Sequence, residues 1–218
     1  MIPAAASVAR LHVVTDDDVV SRDDWVLQAL NVLEVGGGSL ALHLRSPSAT
    51  AATLFELAEK LLPHARRFGA LLIVNDRVDV AAAAGADGVH LGGRSLSVTD
   101  SRRVLGSSAV VGRSCHSAAD VAEARSGGAD YGFVGHVFET ESHPGLRGVG
   151  PAGLRSILTT AGTLPVIAIG GISPSRVADV LDAGAYGVAV LRGIWEAPHP
   201  GDAVSEYLSR LSTKNEAG

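Results

Sequence analysis

Three observations predict an α/β fold for these 218 residues, a single (β/α)8 TIM barrel with its core over about residues 11–211. First, short apolar runs of strand length alternate with amphipathic segments along the whole chain, with no linker between halves, giving eight strand–helix units. Second, several amphipathic segments lead into the same small phrase: Val35-Gly36-Gly37-Gly38, Ala84-Gly85-Ala86-Asp87-Gly88, Gly127-Gly128-Ala129-Asp130-Tyr131 and Ala183-Gly184-Ala185-Tyr186-Gly187. Each is a glycine C-cap running straight into a strand, a turn at the bottom face of a barrel. Third, glycine turns of the phosphate-binding kind fall late, after Ile169 and Leu191, whereas a doubly wound open sheet carries one after its first strand.

In chain order, strands are expected at 11–15, 40–44, 70–75, 88–91, 109–112, 131–135, 166–169 and 187–191. Their near-continuous apolar character is that of parallel strands covered on both faces. Helices are expected at 23–35, 50–68, 77–84, 118–127, 173–183 and 202–211. In the second of these, Leu54, Leu57, Ala58, Leu61 and Leu62 follow the spacing of one apolar helix face. The seventh strand ends in Gly170-Gly171, and Ser173-Pro174 then reads as N-cap and first helical position. Such a turn either presents free backbone N–H groups to a phosphate or is a tight strand-to-helix connection without a ligand. One helix later, Leu191-Arg192-Gly193 ends the eighth strand in a second glycine turn, and the two together match the phosphate pocket of a barrel's last two loops.

Composition narrows the function classes. Hydrophobic residues make up 46% and charged residues 19%, enough for one large core. No apolar run reaches the length of a membrane span, and Met1-Ile2-Pro3-Ala4-Ala5-Ala6 lacks the basic start of a secretory signal. A single cysteine, Cys115, excludes an internal disulfide and fits a reducing, cytoplasmic setting. Net charge is −5 without a Lys/Arg cluster, which argues against a nucleic-acid partner. An anionic ligand must then be held by local groups.

Barrel enzymes carry their chemistry at the carboxyl ends of strands. Those ends read Thr15-Asp16-Asp17, His43-Leu44-Arg45, Asn75-Asp76-Arg77, His90-Leu91-Gly92-Gly93, Arg113-Ser114-Cys115-His116 and Gly135-His136-Val137-Phe138-Glu139-Thr140. His116 is the leading candidate for acid–base work, since imidazole takes and returns a proton near neutrality; its alternative role is at the cap of the next helix, beside Ser117. Cys115 and His116 are neighbours on an extended segment and point to opposite sides, which argues against a thiol–imidazole pair. No metal site is expected: Asp76 lacks a second carboxylate in the loop Gly92-Gly93-Arg94-Ser95-Leu96-Ser97, and no His/Cys spacing resembles a zinc site. Residues 139–150 form a glycine-rich polar loop, either a lid over the barrel mouth or a surface excursion.

The order Val14-Thr15-Asp16, His43-Leu44-Arg45, Asn75-Asp76-Arg77-Val78-Asp79, Gly88-Val89-His90-Leu91-Gly92, Asp130-Tyr131 and Ala168-Ile169-Gly170-Gly171-Ile172 resembles the thiamine phosphate synthase superfamily over roughly residues 11 to 197. That superfamily has a (β/α)8 barrel, and two of its branches are relevant. The synthase branch joins a pyrimidine diphosphate to a thiazole phosphate with magnesium. Its pattern has a lysine where this chain has Pro47, an aspartate where Arg94-Ser95 stand, and a threonine-rich loop where Glu141-Ser142-His143 stand. By contrast, Gly112-Arg113-Ser114-Cys115-His116-Ser117, Gly135-His136-Val137-Phe138-Glu139-Thr140 and Gly145-Leu146-Arg147-Gly148-Val149-Gly150 resemble the thiazole tautomerase branch.

That second resemblance implies a cofactor-free isomerase of thiamine biosynthesis, converting the ylidene tautomer of a carboxythiazole phosphate to the aromatic thiazole. It implies His116 as proton shuttle, and Gly170, Gly171 and the Arg192-Gly193 turn as phosphate site, with Arg192 standing where the family commonly has serine. Arg45 fits an anion-binding role, and Asn75, His136 and Thr140 complete the expected substrate-binding set. The expected partner is a small phosphorylated heterocycle, with no cofactor or metal, and family members are often homodimers. Two alternatives stand beside it: the synthase itself, and a non-catalytic regulatory barrel that binds thiazole phosphate.

Overall fold

The computed structural model describes residues 8–140, 145 and 147–212. Its strands are β1 Leu11–Val14, β2 Leu40–Leu44, β3 Leu71–Asn75, β4 Gly88–Leu91, β5 Val110–Cys115, β6 Tyr131–Gly135, β7 Val166–Ile169 and β8 Gly187–Val190. All pair in parallel with their sequence neighbours, and β8 pairs back onto β1 with Leu11 opposite Val188, so the sheet closes into the expected barrel. Outside it lie α1 Asp17–Val20, α2 Trp25–Gly36, α3 Ala51–Phe68, α4 Val78–Ala84, α5 Val98–Leu105, α6 Ala118–Ser126, α7 Gly150–Leu158, α8 Val177–Asp182, α9 Arg192–Trp195 and α10 Pro200–Ser212. Among the described residues no helix is long and apolar enough to cross a membrane.

Local chemistry sets the ends of these elements. Thr50 caps α3 through its hydroxyl to the Thr53 N–H, and Gly69, at φ 77°, closes it in the left-handed conformation that glycine adopts without strain. The buried face of α3 is Leu54, Leu57, Ala58, Leu61, Leu62 and Ala65, as the spacing predicts. The short helix α5 lies outside the helices expected from periodicity. It buries only Val98 and Ser101, and it is held by a Ser97 cap and by Arg102, which pairs with Asp130. Strand β5 runs three residues beyond the expected 109–112 and carries Ser114 and Cys115.

Strand alternation sorts side chains into two layers. Leu11, Val13, Leu42, Leu44, Leu72, Val74, Val89, Leu91, Val111 and Val134 face the helices. The other set points into the barrel: Val14, Ala41, Ile73, Val110, Tyr131, Phe133, Ile167 and Ala189, together with three histidines. His12, His43 and His90 pack against Tyr131 and Phe133, with ring centroids 4.9 Å apart for His12–Tyr131, 5.0 Å for His43–Phe133 and 4.1 Å for His90–Phe133. Gly112 makes room for this layer, since a Cβ there would overlap the Tyr131 ring. His43 and His90 are therefore interior groups at 0% and 3% exposure, and not the rim groups their position at strand ends suggests.

Burial pushes all three imidazoles down, His43 to about 4, with His12 and His90 well below their ordinary value. A histidine that folds neutral contributes full stability above its unfolded pKa of about 6.5 and loses it as pH falls toward the folded value. For His43 alone the shift corresponds to about 3 kcal/mol. The urea midpoint is thus expected to fall steadily between pH 6.5 and 4, before most carboxylates titrate. A midpoint that stays flat from pH 6.5 to 5 would contradict a neutral interior.

Candidate functional site

A cavity of about 580 Å³ opens at the carboxyl ends of β2 to β5. Arg45, Asn75, Asp76, Arg77, His90, Gly92, Arg94, Ser95 and Ser114 line it. Arg45 and Arg94 against one aspartate make it cationic, although the chain as a whole carries −5; the Arg77 guanidinium is paired with Asp79, its Nε 2.8 Å from one carboxylate oxygen. Arg45 is placed by Thr15, whose hydroxyl accepts from the Arg45 N–H at 2.9 Å and donates to its carbonyl at 2.8 Å, tying the tops of β1 and β2 together. Asn75 stands on the floor with its amide 3.0 Å from His43 Nδ1. Asp76 adopts φ 63°, a left-handed conformation uncommon outside glycine. One of its carboxylate oxygens accepts from the Gly92 N–H at 2.9 Å and from the Ser95 hydroxyl.

The residues do not fit a magnesium–diphosphate site. Asp76 is the one carboxylate among the described residues lining the cavity, and one of its oxygens is already taken by two donors. The β4 loop carries Arg94 and Ser95 where a second carboxylate would be needed. Among the described residues no cluster of three or more His, Cys, Asp or Glu side chains is built to hold a metal.

Across the rim, β6, β7 and β8 bring together the remaining predicted residues. Gly170 and Gly171 both take positive φ, 100° and 64°. A Cβ on Gly170 would come within 2.5 Å of His136 Cβ, and one on Gly171 within 2.5 Å of the Glu139 carbonyl oxygen. The two glycines therefore let the backbone after β7 lie directly on the backbone after β6, where Phe138 N–H donates to Gly170 O at 3.0 Å. Arg192 donates to the Thr140 hydroxyl at 3.1 Å, so two predicted site residues meet. Gly193 leaves space for Tyr207 of α10, whose hydroxyl donates to Ile172 O at 2.9 Å and joins the two glycine turns. Arg176 adds a bond to Gly171 O at 2.7 Å and lies 4.5 Å over the Phe138 ring. Tyr207 and Arg176 escaped the sequence reading, because a lone Tyr or Arg on a helix carries no distinguishing signal.

Between these two regions stands His116, exposed at the end of β5. Ser117 and Asp120 form a complete capping box for α6, and Asp120 also accepts from the His116 backbone N–H at 2.8 Å. Capping thus belongs to those two residues, and the imidazole is left for other work. Its Nδ1 lies 3.3 Å from the Gly135 carbonyl, an acceptor, which places the proton of the neutral ring on Nδ1. Cys115 points the other way, into the helix-facing layer, where burial pushes its thiol up to about 12. Of the loop expected as a lid, residues 141–144 and 146 lie outside the described residues; its end returns to the backbone just after β6 through Val149 N–H to His136 O and Gly150 N–H to Val137 O.

A larger cavity, about 730 Å³, lies at the opposite, amino-terminal end of the strands. It is lined by bottom-face turns, and its one charged group, Arg10, is spent on the carbonyls of Tyr186 and Leu211. Size alone favours it; the converging polar side chains are all at the other end.

Against known proteins, residues 11–194 match the family described as thiamine monophosphate synthase. The chain belongs to that family. It is 38% identical over 204 residues to the thiamine-phosphate synthase of Chlorobium luteolum, covering 93% of each chain. It is 43% identical over 175 residues to the thiamine biosynthesis bifunctional protein ThiM/ThiE of Symbiobacterium thermophilum, covering 80% of this chain but only 36% of that longer protein. Its fold superposes on the thiamine phosphate pyrophosphorylase from Pyrococcus furiosus with a TM-score of 0.81 at 30% identity, covering 94% of this chain and 96% of that one.

These relatives overturn the expected isomerase. They bear the name of a transferase, and the likeness runs through the whole barrel. The tautomerase resemblance rests on residues 112–117, 135–140 and 145–150, and the departures from the synthase pattern on Pro47, on Arg94 and Ser95, and on residues 141–143, which lie outside the described residues. Loops vary most among relatives sharing one scaffold, so they are the weakest guide to the reaction.

Two outcomes follow from this geometry. Gly171→Val is expected to lower stability by about 2–4 kcal/mol, because the side chain meets backbone in a left-handed conformation, and to open 136–150 to proteolysis. An unchanged melting temperature would remove the loop contact from the argument. Cys115 is expected to resist a thiol reagent at pH 8 in the folded protein and to react at once in urea.

Proposed function

We propose that this chain is a thiamine-phosphate synthase, a transferase that joins hydroxymethylpyrimidine diphosphate to a thiazole phosphate and releases diphosphate. One observation carries the reading beyond family membership: two anion-receptive regions share one rim. The arginine-lined cavity lies over β2 to β5, and the paired glycine turns lie after β7 and β8. Condensation of two phosphorylated heterocycles needs two such regions, close together.

In this reaction the lone pair of the thiazole nitrogen forms a C–N bond to the pyrimidine methylene while the C–O bond to diphosphate breaks. The diphosphate departs with the electron pair, and the nitrogen becomes a thiazolium cation. No proton is transferred at the reacting atoms. The protein's part is to hold both partners in line, exclude water and stabilise charge on the leaving group. Arg45 and Arg94 face the diphosphate, for which guanidinium groups offer paired donors, while Arg77 is held by Asp79. Backbone N–H groups near Gly170, Gly171 and Gly193, with Arg192 beside Thr140, hold the thiazole phosphate. His136 sits against Gly170 on the thiazole side, and His116, between the two regions, donates to a departing diphosphate oxygen from Nε2 when protonated.

Mixing both substrates is expected to yield thiamine phosphate and diphosphate, with neither substrate sufficient alone; absence of product defeats the reading. The His116→Asn protein should lose about 10²-fold in kcat with little change in either KM. Replacing Arg45 and Arg94 by Ala should raise KM for the diphosphate substrate by about 10-fold or more. Since the cavity lacks the carboxylates for magnesium, turnover should persist in a chelator. Strict magnesium dependence would show that the arginines do not take over the metal's place.

A further inference from the structure

Two hydrogen-bonded chains leave the cavity floor and run inward among the buried rings. In one, Ser114 Oγ lies 2.9 Å from His90 Nε2, and His90 Nδ1 lies 3.2 Å from the Tyr131 hydroxyl. Both ends are hydroxyls, which donate or accept, so this chain has no fixed direction. The other runs from Asn75, whose amide is placed with Oδ1 3.0 Å from His43 Nδ1, on from His43 Nε2 to His12 Nδ1 at 2.8 Å, and from His12 Nε2 to the Ala9 carbonyl at 2.9 Å. It ends on a group that only accepts, and that gives it a direction.

Starting from Ala9, His12 Nε2 must carry a proton. A neutral ring has one N–H, so His12 Nδ1 is bare and accepts from His43 Nε2–H. His43 Nδ1 is then bare as well and needs a donor. At Asn75 that donor is the amide NH2. The two ends of an amide are alike in shape, and only the network distinguishes them. With the carbonyl oxygen kept at the 3.0 Å position, the two rings would need three protons between them, and a cation would sit beside Tyr131 and Phe133 in the closed interior. Burial pushes both imidazoles toward the neutral form, against that arrangement.

We infer that His12 and His43 are positioning residues that hold the Asn75 amide with its NH2 inward and its carbonyl oxygen toward the cavity. The floor then offers an acceptor in a pocket whose other side chains are mostly donors: Arg45, Arg77, Arg94, Ser95 and Ser114. An acceptor there selects a ligand bearing an N–H, such as the exocyclic amine of an aminopyrimidine. That last step rests on the synthase reading; the orientation of the amide does not.

Long-range ¹H–¹⁵N NMR of the full chain with labelled histidine, at pH 7, reads the proton positions directly. His12 and His43 are both expected as Nε2–H tautomers with bare Nδ1. A His43 that is Nδ1-protonated, or cationic, overturns the inference. In equilibrium binding, wild type should prefer 2-methylpyrimidin-4-amine over 2,4-dimethylpyrimidine by about 10-fold. His43→Phe should reduce that preference to within about twofold, and His43→Gln, whose own carbonyl can accept from the Asn75 NH2, should restore most of it. Should His43→Phe fail to fold, the tautomers of the wild type decide alone. Expected tautomers without an amine preference defeat the ligand class. Expected tautomers in a protein that makes no thiamine phosphate defeat the synthase reading and leave the amide orientation standing.

Discussion

The interior of the barrel is filled in an unusual way, and much else follows from it. Small barrels commonly pack branched aliphatic side chains inside. Here three imidazoles, a phenol and a phenyl ring occupy that space, with Val14, Ala41, Ile73, Val110, Ile167 and Ala189 around them. Buried nitrogen and oxygen atoms without partners would each cost on the order of 1–3 kcal/mol. Every ring nitrogen of His12, His43 and His90 has a partner, as does the Tyr131 hydroxyl. A network satisfied to this degree specifies one arrangement of the interior, since a slip of a single strand would strand several polar atoms at once. Its members at the top, Asn75 and Ser114, form the cavity floor, so the bonds that make the interior tolerable also fix the geometry of the site.

The opposite half of the rim is organised by backbone instead. Loops after β6 and β7 lie against each other at distances that only glycine permits, and Tyr207 and Trp195 anchor the turns from outside. Trp195 donates to Val14 O at 2.7 Å, which carries the constraint across the β8–β1 seam. Arg22 in turn donates to the Trp195 carbonyl at 2.6 Å. These turns thus have a packing reason to be glycine-rich that is independent of any anion. The two reasons are compatible: a turn held rigid by its neighbours presents fixed N–H groups without an ordering cost at binding.

Strands were legible in the sequence because burial on both faces leaves continuous branched runs of fixed length, and closure followed from counting them. Short polar elements were not. Helix α5 and the four-residue α9 owe their existence to Arg102 and to Leu191 carbonyl bonds, which have no periodic signature. His43 and His90 were misjudged for a related reason. A histidine near the end of an apolar strand reads as a rim group, and only the register of the closed barrel shows it pointing inward. His116, one alternation beyond Ser114, does reach the rim. The choice between isomerase and transferase was the hardest to read, since it hung on short segments at the ends of β5 and β6 and in the loops, whose residue types permit either chemistry.

Charge gives the site a further logic under the synthase reading. Overall −5 opposes the approach of two anionic substrates, so attraction must come from arginines acting within about a Debye length of 8 Å. As the bond forms, negative charge accumulates on the departing diphosphate and positive charge on the thiazole nitrogen. A cation fixed beneath that nitrogen would oppose the step; neutral acceptors would not. The buried imidazoles are kept uncharged by desolvation, Arg45 and Arg94 stand over β2 to β4, on the leaving-group side, and Arg192 is tied to Thr140 at the thiazole phosphate. The same burial that gives the interior its acid lability therefore keeps the barrel interior from adding a positive charge beneath the reacting nitrogen.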